Sequence, residues 1–594
     1  MKRLIIVLFW MGFSTICKAQ TATFYSVSFE NAIHHEAQIK ATFTNLKSDE
    51  VEFRMARSSP GRYALHEFAK NVYNIKVTDG KGNVLNATRP DPYSWHVKGH
   101  DGTIVVSYTL FANHGDGTYA QVDESHAHLN IPATFMYVPE LSEQGIEVTF
   151  NIREDLKWKV ATQLKHEKDN TYYAKDLQYF MDSPTEISNF RKRSFQVGNQ
   201  TINFVLHDDE ATGEDIDQYF ERIKAIVLQE EKVYGELPSY DYGEYTFLAC
   251  YMPNVVGDGM EHRNSTVMTK ARSLAHGGVQ ENIGTASHEF FHCWNVERIR
   301  PKSLEPFDFS KANMSGELWF AEGFTNYYDA LILCRAGIWG QDKYFDEMTG
   351  TFNKVWTSPG REFFNPNQMS YQAPFVDAAR SVDDTNRVNT YISYYIYGEM
   401  LGLALDLSLR EIHLNLDDFM TLMWKNFGKP EQPYKVEDLK STLMSYAGEE
   451  FGNTFFNNYV YKSKMPDFER LFKNMGMDLK LDESKVSFGA EVLNQKLMDY
   501  PTIGSTAYEA GLQKEDVILK VGGFDLNGVV TLDMVLDKYK PGDKIALMFL
   551  RYGEVKEAEV TLKAGKIYSV SLMDEEKVSH TMAQNRMDWL HAKQ

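Results

Sequence analysis

The chain has 594 residues, enough for several domains, since one domain usually takes about 100–200 residues. Its composition, with 43% hydrophobic and 24% charged residues, is that of a folded protein and excludes a largely disordered one. The formal net charge is −20 and the sequence has no run of Lys and Arg, which argues against nucleic acid as a partner.

The N-terminus has the pattern of a secretory signal peptide. Basic residues at positions 2 and 3 precede an apolar stretch at 4–16, which is shorter than the roughly 20 residues that a membrane span needs. Small residues at 17 and 19 fit cleavage before Gln20. We predict that residues 1–19 are removed and that the protein is exported, periplasmic or secreted, without a stable membrane span. A lipoprotein acylated at Cys17 is less favoured, because Ile16 is bulky where a small residue is usual.

Residues 20–200 show the alternating pattern of β-strands. In the segment 103–111, Ile104, Val106, Tyr108 and Leu110 share one face, which is the period of a strand with one buried side. Turn segments rich in glycine and proline separate such runs. The pattern predicts an N-terminal β-sandwich domain over 20–200.

Residues 201–470 change to helical spacing. The segment 215–234 predicts a helix with one apolar side, and the segments around His288, Glu322 and 401–409 also predict helices. Residues 240–250 predict a strand. The chain is therefore expected to be a multidomain α+β protein with a mainly helical domain over 201–470.

Strand patterns return over residues 484–565. The segments GSTAYEAGL at 504–512 and DVILKVGG at 516–523 resemble a PDZ domain, with Thr506 where proline is common and Glu515 where glycine is common. The resemblance implies a C-terminal PDZ-like domain over 484–565. Residues 566–594 are predicted to be a charged C-terminal tail with a short helix near its end.

The central motif is HEFFH at residues 288–292. On a helix, His288 and His292 project from the same face one turn apart and can bind one metal ion. Zn²⁺ in catalytic sites takes three protein ligands, leaves a position for water and lowers the pKa of that water to roughly 7. Glu289 would accept the proton of that water. Two surface histidines without a metal are the simpler alternative.

Glu322, in the segment LWFAEGF at 318–324, is the candidate for the third ligand. A lone carboxylate in an apolar helix usually has a partner that compensates its burial. A carboxylate placed at a helix N-terminus by the helix dipole is the alternative. With His288 and His292, Glu322 would complete the ligand set of a catalytic zinc ion.

The segment GDGMEH at 257–262 supplies candidates for substrate binding. Gly259 permits close approach of the backbone to an extended ligand, Met260 lies beside it, and Glu261 can bind a positively charged group. An ordinary strand edge with a solvated acid is the alternative.

A tetrahedral intermediate also needs a hydrogen-bond donor near its oxyanion. The segment SYYIYG at 393–398 offers Tyr394, Tyr395 and Tyr397 for this role. A cluster of tyrosines more often packs in a helix than takes part in catalysis, so packing is the alternative.

Long segments of the chain resemble the glycyl aminopeptidase family of zinc metallopeptidases, gluzincins that are related to aminopeptidase N and carry a C-terminal PDZ domain. The segments are SPGRY at 59–63, MEHRNS at 260–265, HEFFHCWNVERIRP at 288–301 and LWFAEGFTNYY at 318–328. The resemblance implies a thermolysin-like catalytic domain and the removal of glycine or other small residues from peptide N-termini.

The same resemblance assigns roles to two of the candidates. Glu261 would bind the free α-amine of a peptide, and Tyr395, three residues before a glycine, would stabilise the oxyanion. The sequence therefore predicts a zinc-dependent aminopeptidase that acts on peptides with a free N-terminus. A zinc endopeptidase, and an exported scaffold that binds peptides through the PDZ-like domain, remain as alternatives. No oligomeric state is predicted.

Overall fold

The computed structural model describes residues 21–377 and 383–593. The predicted signal peptide and Cys17 lie outside the described residues. The chain forms two compact units. The first contains residues 21–56, 68–113 and 119–189, and the second contains residues 57–67, 114–118 and 190–593.

The first unit is β-rich. Its strands are β1 (Thr21–Ser28), β2 (Glu36–Phe43), β3 (Glu50–Arg54), β4 (Val72–Asp79), β5 (Ala87–Asp91), β6 (Ser94–Lys98), β7 (Ile104–Phe111), β8 (Gln121–Val122), β9 (His126–Leu129), β10 (Gly145–Asn151), β11 (Lys159–Thr162), β12 (Lys165–Lys168), β13 (Thr171–Ala174) and β14 (Thr185–Ser188), with short helices α1 (Ile131–Thr134) and α2 (Leu177–Met181). They form a seven-stranded sheet in the order β12-β13-β10-β1-β2-β7-β4, a four-stranded sheet β11-β14-β9-β8 and a three-stranded sheet β3-β6-β5.

The alternation predicted for β7 is confirmed. Its four apolar residues on one face are all at most 2% exposed, whereas alternate positions such as Val105 and Ser107 are only partly buried. Burial of one face of a central strand is what holds this register, because a slip by one residue would turn the apolar face outward.

The second unit begins with a five-stranded sheet and continues with helices. Its elements up to residue 473 are β15 (Arg191–Val197), β16 (Gln200–His207), α3 (Gly213–Tyr234), β17 (Glu244–Cys250), β18 (Asp258–His262), β19 (Ser265–Thr269), α4 (Gly278–Glu281), α5 (Ile283–Phe291), α6 (Leu318–Ala321), α7 (Gly323–Arg335), α8 (Gln341–Trp356), α9 (Pro366–Tyr371), α10 (Ala373–Val376), α11 (Arg387–Thr390), α12 (Tyr394–Glu411), α13 (Leu416–Met423), α14 (Val436–Ala447), α15 (Glu449–Phe455) and α16 (Phe468–Lys473).

The predicted helix at 215–234 is confirmed as α3, and its ends have clear physical causes. Thr212 caps the first turn through a capping box with Asp215, and Gly235 ends the helix in the left-handed conformation. Its apolar side, including Tyr219 and Ile223, is fully buried in the core of the unit. A large buried core of this kind supports the helices that carry the candidate site.

The five-stranded sheet has the order β15-β16-β17-β19-β18. Strands β16, β17 and β19 are parallel, and β18 pairs antiparallel with β19 as the edge strand. The strand predicted at 240–250 is present as β17. Because β18 is an edge strand, one side of its backbone is not used within the sheet, and this strand contains Gly259, Met260 and Glu261.

Residues 477–593 form the last part of the second unit. Their elements are β20 (Met477–Asp482), β21 (Val486–Ser487), β22 (Val492–Leu493), β23 (Lys496–Leu497), α17 (Thr506–Glu509), β24 (Val517–Val521), β25 (Phe524–Asp525), α18 (Leu532–Leu536), β26 (Lys544–Arg551), β27 (Glu554–Thr561), β28 (Lys563–Ala564), β29 (Ile567–Leu572) and α19 (His580–Leu590). Strands β21 to β28 enclose a separate small hydrophobic core. Strands β20 and β29, which precede and follow this segment in the sequence, pair with each other.

The segment predicted as a charged tail returns to the helical core. Helix α19 buries Trp589 completely, and the indole nitrogen of Trp589 donates to the hydroxyl of Tyr327 at 2.9 Å. Arg335 donates to the carbonyl of Trp589 at 3.0 Å. Helix α19 is therefore part of the same core as α7.

Across residues 21–377 and 383–593, none of the helices combines the length and hydrophobicity that a membrane span requires.

Candidate active site

The two histidines of the HEFFH motif lie at the C-terminal end of α5. His288 is in the last turn and His292 is the residue that caps the helix, still in the right-handed helical conformation. Their imidazoles therefore stay on one face, with Nε2 of His288 3.1 Å from Nε2 of His292. Behind them, Phe290 and Phe291 are fully buried. The helix is anchored by these apolar residues while its histidines face a common point.

Glu322 lies at the short break between α6 and α7, where it is 1% exposed. Its Oε2 atom is 3.3 Å from Nε2 of His292 and 3.7 Å from Nε2 of His288. With bonds of about 2.0–2.1 Å, the ligands of a tetrahedral zinc ion lie roughly 3.3 Å apart. The spacing of the three atoms therefore fits one zinc ion, and the binding of zinc by His288, His292 and Glu322 stays a prediction.

The outward nitrogens of both histidines have hydrogen-bond acceptors. Nδ1 of His288 is 3.0 Å from Oδ2 of Asp329, and Nδ1 of His292 is 2.5 Å from the carbonyl oxygen of Asn295. If each Nδ1 carries the proton, both Nε2 atoms present lone pairs to each other and to a carboxylate oxygen. In that neutral state the three atoms form a donor set for a cation, whereas a proton on Nε2 of His292 can instead donate to Glu322, which raises the pKa of this histidine.

Asn295 also connects α5 to the break that carries Glu322. Its side-chain nitrogen donates to the carbonyls of Phe320 and Ala321 at 3.0 and 3.1 Å and to the hydroxyl of Thr325 at 3.2 Å. The residue is fully buried. The side chain of Asn295 therefore holds the backbone just before Glu322, while its main-chain carbonyl orients His292.

The charges of the ligands affect one another strongly. Burial opposes ionisation of Glu322, but the charge of His292 and hydrogen bonds with both histidines outweigh it, so the pKa of Glu322 lies far below its ordinary value. Burial disfavours a charged His292, but Glu322 outweighs it and raises the pKa of His292 to about 9. The site is thus built to hold positive charge.

Glu289 lies between the histidines and the edge strand β18. A Cβ atom at position 259 would be 2.1 Å from Oε1 of Glu289, so only glycine leaves room for this carboxylate. Burial raises the pKa of Glu289 to about 7, against the opposing effect of His288 and His292. Oε2 of Glu289 is buried without a hydrogen-bond partner. A carboxylate whose pKa lies near neutral pH is suited to accept a proton.

Glu261, on β18, lies next to this group. Its carboxylate, that of Glu289 and a ring nitrogen of His292 lie within 4.8 Å of one another, and Glu261 is 6% exposed. Burial raises the pKa of Glu261, as does the charge of Glu322. Met260 is 1% exposed, and a Cβ at position 61 would be 2.2 Å from its sulfur. Met260 therefore packs beneath a neighbouring loop, and the predicted substrate contact is left to Gly259 and Glu261.

Of the three candidate tyrosines, only the ring of Tyr395 lies against a ligand histidine among the described ring contacts. Its centre is 5.9 Å from that of His288. Tyr394 is buried and stacks on Tyr395 at 4.9 Å, whereas Tyr397 packs against Trp356 at 6.1 Å. Burial, then the charge of Glu322, keep the pKa of Tyr395 well above its ordinary value, so its hydroxyl remains a donor.

Two glycines bring Tyr395 to this place. A Cβ at position 323 would be 2.3 Å from Cα of Gly398, and a Cβ at position 398 would be 1.9 Å from the carbonyl oxygen of Trp319. Helices α7 and α12 therefore cross with their backbones in contact. Glu322 precedes one glycine and Tyr395 is one turn before the other, so the crossing sets both residues beside the same site.

Sequence reasoning missed four residues that shape the site. Asp329 and Asn295 orient the histidines, while the other two, Arg62 and Tyr63, come from the loop at 57–67. Tyr63 donates a hydrogen bond to Oε1 of Glu322. Asp329 is two turns beyond Glu322 on an apolar helix, and this spacing could have identified it from the sequence as a residue on the same face. For Arg62 and Tyr63, only their place in the SPGRY segment could have pointed to the site.

Arg62 binds the start of β18. Its guanidinium pairs with Asp258, and its Nε donates to the hydroxyl of Thr118 at 2.6 Å. The backbone nitrogen of Gly117 donates to the same Asp258 carboxylate at 2.9 Å. Asp258 is therefore occupied by structural contacts rather than pointing free into the site.

Two family models match the chain. The model described as Peptidase M61 N-terminal domain matches residues 24–189, and the model described as M61 glycyl aminopeptidase matches residues 281–401. The second match contains all three candidate ligands, Glu289 and Tyr395. These matches support a peptidase of the metallopeptidase class. No curated protein matches the chain.

One solved structure shows the fold. An aminopeptidase N family protein from Idiomarina loihiensis is 22% identical, with 96% of this chain and 100% of that chain covered and a TM-score of 0.85. An M1 zinc metallopeptidase from Deinococcus radiodurans is also similar, at 13% identity, with 76% of this chain and 95% of that chain covered and a TM-score of 0.45. The first structure shows that this architecture exists as a folded protein.

Proposed function

We propose that this protein is a zinc-dependent aminopeptidase that removes N-terminal residues from peptides. The observation that carries the proposal is the convergence of His288, His292 and Glu322 on one point, with their ligand atoms 3.1–3.7 Å apart. The buried Glu289 and Glu261 lie beside that point. The match to the M61 glycyl aminopeptidase model over residues 281–401 supports the same class of enzyme.

His288, His292 and Glu322 would hold the zinc ion. When bound, zinc supplies Lewis-acid chemistry, polarising a carbonyl oxygen and lowering the pKa of water. Glu289 takes a proton from the attacking water and delivers it to the leaving amine. A pKa of about 7 suits both transfers, since the group is neither a strong acid nor a strong base at neutral pH.

Glu261 binds the α-amine of the substrate. The amine nitrogen and the carbonyl carbon of one residue are about 2.5 Å apart, given standard backbone bond lengths and angles. Glu261 lies within 4.8 Å of Glu289 and His292, so an amine held by Glu261 leaves room for a single residue before the scissile bond. An internal peptide segment offers no positive group to the buried carboxylate and is rejected for that reason.

The edge strand β18 and Tyr395 complete the assignment. As the edge strand of its sheet, β18 can bind an extended substrate backbone in the manner of an added strand. Tyr395, protonated because of its raised pKa, donates a hydrogen bond to the oxyanion of the tetrahedral intermediate. This donor would be most effective in a site from which the substrate excludes water.

Three finer points belong to the same proposal. The protein is exported through its N-terminal signal peptide, and residues 484–565 form a PDZ-like domain. The residue removed is small, glycine included, in keeping with the family model that matches residues 281–401. A comparison of initial rates on glycyl, alanyl and leucyl substrates tests the last point.

The proposal is tested by hydrolysis of aminoacyl chromogenic substrates by the purified protein. We expect hydrolysis that is lost after treatment with a chelator and is restored by an equimolar amount of zinc. Hydrolysis that survives complete removal of the metal would contradict the assignment. Measurement of bound zinc per chain, with one ion expected, accompanies the assay.

A further inference from the structure

The loop at 57–67 contributes directly to the metal site, although most of the chain around it in sequence belongs to the first unit. Contacts place this loop in the second unit, with the helices that carry the ligands. The loop is braced internally: Arg62 donates its backbone N–H to Ser59 at 3.0 Å, and Ser58 donates its hydroxyl to the carbonyl of Ala64 at 3.1 Å.

Gly61 determines where the loop points. Its φ angle is +74°, in the region that glycine adopts without strain, and a Cβ there would be 2.8 Å from Oε2 of Glu261. The turn can therefore approach the substrate-binding strand closely. The next two residues, Arg62 and Tyr63, are directed to Asp258 and Glu322.

Tyr63 is 2% exposed, and its hydroxyl donates to Oε1 of Glu322. The other carboxylate oxygen, Oε2, is the atom that faces the two histidines. The two oxygens thus have different partners: one faces the metal position and the other accepts a hydrogen bond. No other hydrogen bond to Oε1 is found among the described residues.

We infer that Tyr63 is a positioning residue for the zinc ligand Glu322, holding it so that a single oxygen faces the metal. The inference rests on the proposed zinc site. A buried carboxylate that loses its donor must either rotate or keep an unsatisfied oxygen, and both weaken its hold on the ion. The loop at 57–67 is therefore part of the metal site rather than a surface connection.

The test is the affinity for zinc of Tyr63→Phe, which removes only the hydroxyl. Competition with a chelating dye gives the dissociation constant, and mixing with excess chelator gives the rate of zinc release. We expect an affinity about 10–100 times weaker than that of the unaltered protein, and a faster release.

Tyr328→Phe is the matched control. Tyr328 is also fully buried and donates to a carboxylate, Asp417, at 2.8 Å, but Asp417 is not among the ligands. We expect this control to change stability while leaving the zinc affinity unaltered. Thermal unfolding of the zinc-free proteins, with a similar small decrease expected for both variants, shows whether a change in affinity comes from general destabilisation.

The outcomes separate the inference from the proposed function. The unaltered protein could bind one zinc ion tightly while Tyr63→Phe binds it equally well and releases it equally slowly. In that case the role proposed for Tyr63 is wrong, and the proposed zinc site is still supported. If Tyr328→Phe weakens zinc binding as much as Tyr63→Phe does, the effect is structural and the inference is also wrong. If the unaltered protein does not bind zinc, the proposed function itself fails.

Discussion

The carboxylate of Glu289 occupies the space that a side chain on Gly259 would need: a Cβ there would be 2.1 Å from Oε1 of Glu289 and 2.7 Å from its carboxylate carbon. Gly259 of the edge strand and Glu289, the proposed general base, are thus fitted to each other. A residue larger than glycine at position 259 of β18 would therefore displace Glu289.

Gly259→Ala is therefore expected to displace Glu289 and to lower kcat by about 100-fold, since an error of about 1 Å in a reacting group costs that much. Zinc binding should persist, because the three ligands are not touched. Gly284→Ala is the control: it lies on α5 like Glu289, with no atom within 4 Å of the added Cβ. Full activity of Gly259→Ala would show that Glu289 does not need its present position.

Glu289→Gln should lower kcat by about 100- to 10,000-fold while zinc remains bound, because an amide of the same shape cannot accept the proton. Measurements of kcat and of zinc per chain on the same sample check this. An unchanged kcat would remove Glu289 from the mechanism.

Zinc binding should depend on pH in a defined direction. The ligand histidines must lose their protons to bind the ion, and the charge of Glu322, acting against burial, raises the pKa of His292 to about 9. Apparent zinc affinity should therefore rise with pH over the range below about 9, roughly tenfold per pH unit for each proton released. Calorimetric titration in buffers of different ionisation enthalpy counts the protons. Affinity that is constant from pH 6 to 9 would contradict the assignment.

Trp589→Ala should destabilise the second unit strongly, although Trp589 lies only a few residues from the end of the chain. The side chain is fully buried and its loss leaves a cavity, which costs about 3–5 kcal/mol for a large aromatic residue. Met587, on the same helix and 48% exposed, is the control, and Met587→Ala should change stability by less than about 0.5 kcal/mol. Denaturant unfolding followed by circular dichroism measures both. Equal effects would show that α19 is not anchored by Trp589.

The ion pair between Arg62 and Asp258 should show coupling in a double-mutant cycle. Arg62→Ala and Asp258→Ala each remove one side of a pair that orients β18, so the double variant should lose less stability than the sum of the single losses. A coupling of about 0.5–3 kcal/mol is expected from denaturant unfolding of the four proteins. Strict additivity would mean that the two residues act independently.

Local patterns predicted the parts of the site whose geometry is set within one helix. The spacing of His288 and His292 fixes their shared face, and the position of Glu289 follows from the same helix. The alternation in β7 likewise required nothing beyond neighbouring residues. In each case the structural constraint acts over less than ten residues, which is the range that a sequence pattern can report.

Contacts between distant segments could not be predicted in the same way. Tyr63 meets Glu322 across 259 positions of sequence, and Trp589 meets Tyr327 across 262. Nothing in the local composition around either aromatic residue distinguishes it from ordinary packing. Met260 lies between two neighbours that face the site, but its own side chain is buried beneath the turn at Gly61, so its role in substrate binding stays a prediction.

The central claim is that the zinc site acts on the free N-terminus of a peptide, with Glu261 as the residue that binds the amine. The most direct measurement compares the release of the first residue from a short peptide with cleavage of the same peptide acetylated at its N-terminus, using the unaltered protein and Glu261→Gln. We expect that acetylation abolishes cleavage by the unaltered protein, and that Glu261→Gln loses most activity on the free peptide while retaining zinc. Rapid internal cleavage of the acetylated peptide would contradict it.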